Sequence, residues 1–228
     1  MLKAVIFDVD GVLVDSRNSN VAFFQKLLAK AGYPNITREQ VLDCFHLPMR
    51  QTIAKLTGTD DEQEIQRIFK LGHDSSLRDS SLFEFHDRLE GILEELHEKY
   101  RLAIVTSRIR VGVDDIFSAK EIEHLFDVVV SFEDYKNPKP HPEPLELAIE
   151  RLGVKADEAV YVGDSASDIE AAKAAGMKSI FFSLDSTNSD ATHTVSKLDD
   201  IEKTLRAEMN DVTIGKGNLV GKGVHCQS

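Results

Sequence analysis

V-I-F-D-V-D-G-V-L-V-D-S, residues Val5 to Ser16, is the stretch on which the fold turns. Val5, Ile6 and Phe7 close an apolar run that opens at Leu2 with only Lys3 interrupting it, the pattern of a strand buried on both faces of a parallel sheet. Asp8 and Asp10 arrive together where that strand should end, and Gly11 permits a sharp exit because it lacks a Cβ. In open α/β sheets the chemistry gathers at such strand ends. Two acids two positions apart on an extended chain point the same way and repel each other, and a hard divalent cation bound by oxygens, Mg2+ foremost, resolves the repulsion.

Three further stations lie downstream. Thr106-Ser107 follows the apolar run Leu102 to Val105, Lys139 sits in N-P-K-P-H-P-E-P, and Val160 to Asp168 reads V-Y-V-G-D-S-A-S-D. Each alone is commonplace: a polar turn, a strand end or helix cap, a surface lysine, an acidic helix start. Together and in this order, over roughly residues 3 to 183, they resemble the haloacid dehalogenase superfamily of phosphatases and phosphomutases. The likeness is to the branch holding phosphoglycolate phosphatase, a pyrophosphatase of similar build and β-phosphoglucomutase.

The resemblance implies a role for each station. Asp8 is the nucleophile, forming an aspartyl-phosphate, and Asp10 is the general acid and base, with its backbone carbonyl on the metal. Thr106 and the Ser107 amide hold a phosphoryl oxygen, and Lys139, framed by Pro138 and Pro140, bridges Asp8 and the phosphoryl group. Asp164 is a direct Mg2+ ligand and Asp168 a supporting acid. Arg108 departs from the family, which commonly has Asn, Lys or a small residue there; it either binds substrate anion through its planar fork or has a solvent-exposed structural role. Arg17, His46 and Arg50 are candidates for contact with the leaving group, and His46 falls where many relatives have a glycine before Leu-Pro.

Between the first strand and the rest, apolar residues recur at helical spacing. Val21, Phe24, Leu27, Leu28 and Ala31 mark one helix, Thr37 with Gln40 reads as a capping box, and Met49, Ile53, Leu56 and then Ile65, Ile68, Phe69, Leu71 mark more. The expected organisation is an α/β core of residues 1–16 and 83–210, a doubly wound parallel-sheet (Rossmann-like) domain of five strands. An inserted helical cap domain spans 17–82, with crossings near Asp15 to Arg17 and Ser80 to His86, and 211–228 is a mobile tail. Residues 184 to 197 read as loop, and a short helix around Asp199 to Met209 closes the core.

The chain has 228 residues and a formal net charge of -12, from 39 acids against 27 bases. Such a balance disfavours nucleic acid as a partner, because its phosphate backbone would be repelled outside any local basic pocket, and no nucleic-acid partner is expected. Two cysteines, Cys44 and Cys226, make neither a disulfide framework nor a zinc site. No apolar run nears the ~20 residues that cross a bilayer, so no membrane partner is expected and the cytoplasm is the default setting. The expected partner is a small phosphorylated metabolite, with Mg2+ as cofactor and a monomer or homodimer as the assembly. A phosphoglycolate-like monoester leads. Pyrophosphate follows, because K-P-x-P-E-P resembles the pyrophosphatase member; a phosphomutase would need a second phosphate grip, and a non-catalytic binding module would have lost a carboxylate that this chain retains.

Overall fold

The computed structural model describes residues 1–45, 47–183, 187–188 and 190–206. The chain begins with β1 (Ala4–Phe7), every residue of it buried, and makes a tight turn at Gly11 into the short β2 (Val14–Asp15). Four helices follow: α1 (Arg17–Ala31), α2 (Arg38–Leu42), α3 (Met49–Thr57) and α4 (Glu62–Leu71). The Thr37 capping box forms as its spacing predicts, Thr37 Oγ1 accepting from the Gln40 amide at 3.3 Å while Gln40 accepts from the Thr37 amide at 2.9 Å. Asp61 caps α4 by accepting from the Gln63 amide at 2.9 Å. The apolar faces of these helices meet in a cluster of their own, with Leu27, Leu28, Ile53 and Ile68 fully buried at its centre.

The chain then returns through β3 (Glu84–Phe85), which pairs antiparallel with β2, Val14 opposite Phe85 and Asp15 opposite Glu84. From there helix and strand alternate: α5 (Leu89–His97), β4 (Arg101–Val105), α6 (Arg110–Ala119), β5 (Val128–Val130), α7 (Glu143–Leu152), β6 (Ala159–Gly163), α8 (Ala166–Ala174), β7 (Lys178–Phe182) and β8 (His193–Val195). A last helical segment, 199–206, runs to the end of the described residues, so the Met209 end of the expected helix and the tail lie outside them. Among the described residues no helix is long and apolar enough to cross a membrane.

The main sheet is parallel throughout, in the order β5-β4-β1-β6-β7-β8. β1 is central because its uninterrupted apolar run tolerates burial on both faces. Val5 and Phe7 face one layer with the apolar stripes of α5 and α6; Ala4 and Ile6 face the other with α7 and α8. Helices on both faces of a parallel sheet make the fold doubly wound. Two expectations need correction. Six strands form the sheet rather than five, because β8, inside the stretch read as loop, pairs with the edge of β7 from His193 to Val195. Residues 110–119, for which no element was expected, form α6 and bury Val113, Ile116 and Phe117.

The separate cluster of the helical segment predicts a large penalty for a cavity there. Leu28→Ala should lower the unfolding free energy by about 2–5 kcal/mol in urea titration. A loss below ~1 kcal/mol would mean that α1 to α4 do not share a packed core.

Candidate active site

The carboxyl ends of β1, β4 and β6 converge on one cavity of about 250 Å³, lined by Asp8, Asp10, Thr106, Ser107, Arg108, Lys139 and Asp164. The Asp8 amide extends the β1–β6 ladder, donating to the Val162 carbonyl at 2.8 Å, so the nucleophile candidate stands on the sheet itself rather than on a loop. The residue is only 7% exposed. Lys139, in the Pro-rich segment before α7, sends its ammonium between two acids: 3.1 Å from Asp8 Oδ1 and 2.6 Å from Asp168 Oδ1. The same ammonium donates to the Tyr161 hydroxyl at 3.0 Å, and that hydroxyl lies 3.0 Å from Asp168 Oδ1.

Asp168 is held by both its oxygens. Oδ1 takes Lys139 and Tyr161, and Oδ2 accepts from the Ser165 amide at 3.1 Å and the Ser165 hydroxyl at 2.6 Å, completing a capping box at the start of α8. The cap reading and the supporting-acid reading of this residue are therefore both satisfied by one side chain. Burial opposes the charge on Asp168, but the Lys139 ammonium holds its carboxyl below the usual range. Burial likewise disfavours charge on Lys139, and Asp168 and Asp8 more than restore it.

Asp8 and Asp164 behave oppositely. Burial, with repulsion from Asp168 and Asp10, pushes Asp8 up to about 7 against the attraction of Lys139; burial and the charges of Asp8 and Asp168 push Asp164 up to about 8. One carboxylate oxygen from each of Asp8, Asp164 and Asp168 lies within 4.8 Å of the others. An all-oxygen set of clustered acids, two of which resist ionising without a cation, is the donor chemistry of Mg2+. The residues present fit that ion: Asp8 and Asp164 would hold it, with Asp168, occupied by Lys139 and Ser165, in support.

Two glycines make this crowding possible. A Cβ on Gly11, at φ +77°, would stand 1.8 Å from Asp164 Oδ2. One on Gly163 would stand 2.4 Å from the Asp168 Cβ, so the end of β6 must lack a side chain for α8 to bring its acid in.

Asp10 faces the same cavity but stands apart from the three-acid cluster. Its carboxylate accepts both arms of Arg108, Nε to Oδ2 at 2.7 Å and Nη2 to Oδ1 at 2.6 Å, and a hydrogen bond from Ser16. Arg108 also donates to Asn20 Oδ1 at 3.2 Å and lies over the Phe83 ring, 5.7 Å from its centroid. Its side chain is 14% exposed, so the solvent-exposed reading does not hold, and its fork is engaged by Asp10. Thr106 is buried, its amide donating to Val130 and its Oγ1 accepting from the Arg108 amide at 3.2 Å, while the Tyr135 hydroxyl donates to its carbonyl at 3.1 Å.

The remaining leaving-group candidates are elsewhere. Arg17 is exposed and forks onto Asp15, its neighbour two residues back. Arg50 pairs with Glu62 at 2.7 Å and with Gln66, in a shallow depression beside α4. Neither lines the cavity of the acids, and each is held by a local carboxylate. His46 lies outside the described residues. Tyr161 was legible only as a strand aromatic; its hydroxyl, which ties Lys139 to Asp168, has no sequence signature beyond its place in V-Y-V-G-D.

Two outcomes are expected from this geometry. Between 3.8, the ordinary carboxyl value, and about 7 or 8 the folded chain holds protons on Asp8 and Asp164 that the unfolded chain has lost, so metal-free stability falls as pH rises. A cation that displaces those protons binds better as pH rises, and Mg2+ should raise the Tm more at about pH 8 than at about pH 6; an equal or inverted shift in differential scanning fluorimetry would contradict the coupling. Gly11→Ala, which drives Asp164 from its place, should lower turnover on the order of a hundredfold, and an unchanged rate would show that Asp164 is not needed where it stands.

A haloacid dehalogenase-like hydrolase family model matches residues 5–182. The chain is 34% identical over 178 residues to pyrophosphatase PpaX of Bacillus cereus, covering 78% of this chain and 81% of that one. Among solved structures, a subfamily IA hydrolase of the superfamily from Geobacter sulfurreducens is 27% identical with a TM-score of 0.68, over 90% of this chain and 96% of that one. In fold alone the chain also matches β-phosphoglucomutase from Clostridium difficile, 19% identical with a TM-score of 0.77 over 94% of this chain and 100% of that one. With the sheet, and with Asp8, Asp10, Asp164 and Lys139 in one cavity, these matches mean that the chain belongs to the haloacid dehalogenase-like hydrolases and is an enzyme of their phosphatase type.

Proposed function

We propose that the chain is a Mg2+-dependent phosphatase that releases inorganic phosphate from a small monoester through an aspartyl-phosphate on Asp8. The observation that carries the reading is the position of the Asp8 carboxylate: buried at the end of a central strand, 3.1 Å from the Lys139 ammonium, with a second acid, Asp10, facing the same cavity. Phosphate esters resist attack because their charges repel nucleophiles, so the protein must neutralise the phosphoryl oxygens and hold the attacker in line. Bound Mg2+ would supply positive charge that offsets the repulsion between carboxylate and phosphoryl group.

The chain's own residues do the rest. Lys139 orients Asp8 and offers charge to the phosphoryl group, and the Thr106 hydroxyl with the Ser107 amide receives a phosphoryl oxygen. Asp8 forms a bond to phosphorus as the bond to the leaving oxygen breaks, and Asp10 gives that oxygen a proton. Asp10 then takes a proton from water as the water attacks the aspartyl-phosphate, releasing phosphate and restoring Asp8. Arg108 and Ser16 keep the Asp10 carboxyl aimed at the cavity through both transfers. We further propose that residues 17–82 act as a cap over a core of 1–16 and 83–210, excluding water until substrate is positioned. The pyrophosphatase reading has one observation behind it, the 34% identity to PpaX.

Asp8→Asn should reduce turnover by at least about a thousandfold while the fold survives, since the amide matches the carboxylate in shape but forms no acyl phosphate; near-native activity would remove Asp8 from that role. EDTA should silence the enzyme and Mg2+ restore it. Phosphorus NMR should show free phosphate as product and no interconversion of β-glucose 1-phosphate and glucose 6-phosphate, even with a bisphosphate primer. Isomerisation with negligible phosphate release would reverse the assignment to a mutase.

A further inference from the structure

The cavity that begins at Asp8 and Asp10 continues between the sheet and the helical segment, and its character changes along the way. Its far wall is aromatic and aliphatic: Phe23 and Phe24 from α1, Phe45 and Leu47 from the connection after α2, and Met49 at the start of α3. Phe23, Phe45, Leu47 and Met49 are only half-buried, so apolar surface stands open to the cavity.

No unpaired cation faces that wall among the described residues. The lining contributes three cations, and each already has a carboxylate: Lys139 has Asp8 and Asp168, Arg108 has Asp10, and Arg78 has Asp115. Arg78 is further held by the carbonyls of Gly72 and His73, both at 3.4 Å. The hydroxyls on this side are also engaged, Thr52 with the carbonyls of Leu47 and Pro48 and Ser19 with that of Asp79. A leaving group that carries its own anion, such as the second phosphate of pyrophosphate or the carboxylate of phosphoglycolate, would be desolvated against these rings, with no cation among the described residues free to pair it. An apolar one would cover surface that is otherwise left to water.

We propose that the substrate is a phosphomonoester of an uncharged, largely apolar alcohol, whose carbon skeleton packs against Phe23, Phe45, Leu47 and Met49. This rests on the phosphatase reading above and narrows it, and it sets the chain apart from the pyrophosphatase it resembles in sequence.

The test is kcat/KM with saturating Mg2+ for methyl, butyl and hexyl phosphate beside phosphoglycolate and pyrophosphate, with p-nitrophenyl phosphate as a general phosphatase probe. The three alkyl esters share the same phosphate and closely similar leaving oxygens, so the series reads the wall alone. The expected result is a rise of roughly fourfold per methylene buried, with hexyl phosphate ahead of both anionic substrates. Phe45→Ala and Met49→Ala should each flatten the rise, and Met49→Lys should shift preference toward pyrophosphate and phosphoglycolate by adding a positive charge to the wall. Preference of the unaltered enzyme for either anionic substrate over hexyl phosphate, or a chain-length dependence unmoved by both alanine variants, overturns the proposal and leaves the phosphatase standing. No phosphate release from any substrate, p-nitrophenyl phosphate included, removes the phosphatase reading itself and this inference with it.

Discussion

Three carboxylates crowded at the end of a buried sheet, with one lysine among them, set the terms for the rest of this molecule. Burial opposes charge on all three acids; Lys139 can satisfy Asp168 and lean on Asp8 but cannot offset three negative charges at once, and Asp8 and Asp164 are left reluctant to ionise. Much of the surrounding architecture serves that imbalance. β1 and β6 are adjacent so that their acids meet; Gly11 and Gly163 lack side chains so that the carboxylates fit; the Pro-rich segment before α7 delivers the ammonium from the side. A fully compensated cluster would be more stable and would have no affinity left for a cation or a phosphoryl group.

A second pairing divides labour within the site. Asp10 is only two positions from Asp8, yet its carboxylate is not one of the three clustered acids, because Arg108 and Ser16 hold it in hydrogen bonds of its own. Arg108 in turn is clamped by Asn20 on α1 and by the ring of Phe83, so residues of the helical segment and of its return path fix the direction of an acid that belongs to the sheet. The aim of Asp10 is thereby tied to the position of α1, and any displacement of that helix would reach this carboxylate through one side chain.

Legibility in the sequence followed the range of the interactions. β1, β4 and β6 were readable because a buried parallel strand must be apolar along its length, and the acids at 8, 10, 164 and 168 were readable because their spacing is local. β8 was not, since an edge strand with one neighbour needs no apolar run; of its residues only Val195 is buried. The partnership of Arg108 with Asp10 spans 98 positions, and Tyr161 reaches Lys139 across 22. Such contacts exist only once the sheet has brought its strand ends together, so an isolated Arg or Tyr carries no mark of them. Arg17 and Arg50 fail for the opposite reason: acids close in sequence or on the next helix, Asp15 and Glu62, capture them first.

The two-stranded ribbon of β2 and β3 has a consequence of another kind. Because the chain leaves the sheet at Asp15 and comes back at Glu84 directly opposite, the whole of what lies between is closed off by a gap one residue pair wide. Closing such a loop depends only on the logarithm of its length, so a longer, shorter or unrelated segment could be carried at the same two points for a change of about 0.6 kcal/mol per doubling. The sheet therefore tolerates change in the length of the intervening segment at little entropic cost, so long as α1 keeps the Asn20 contact to Arg108.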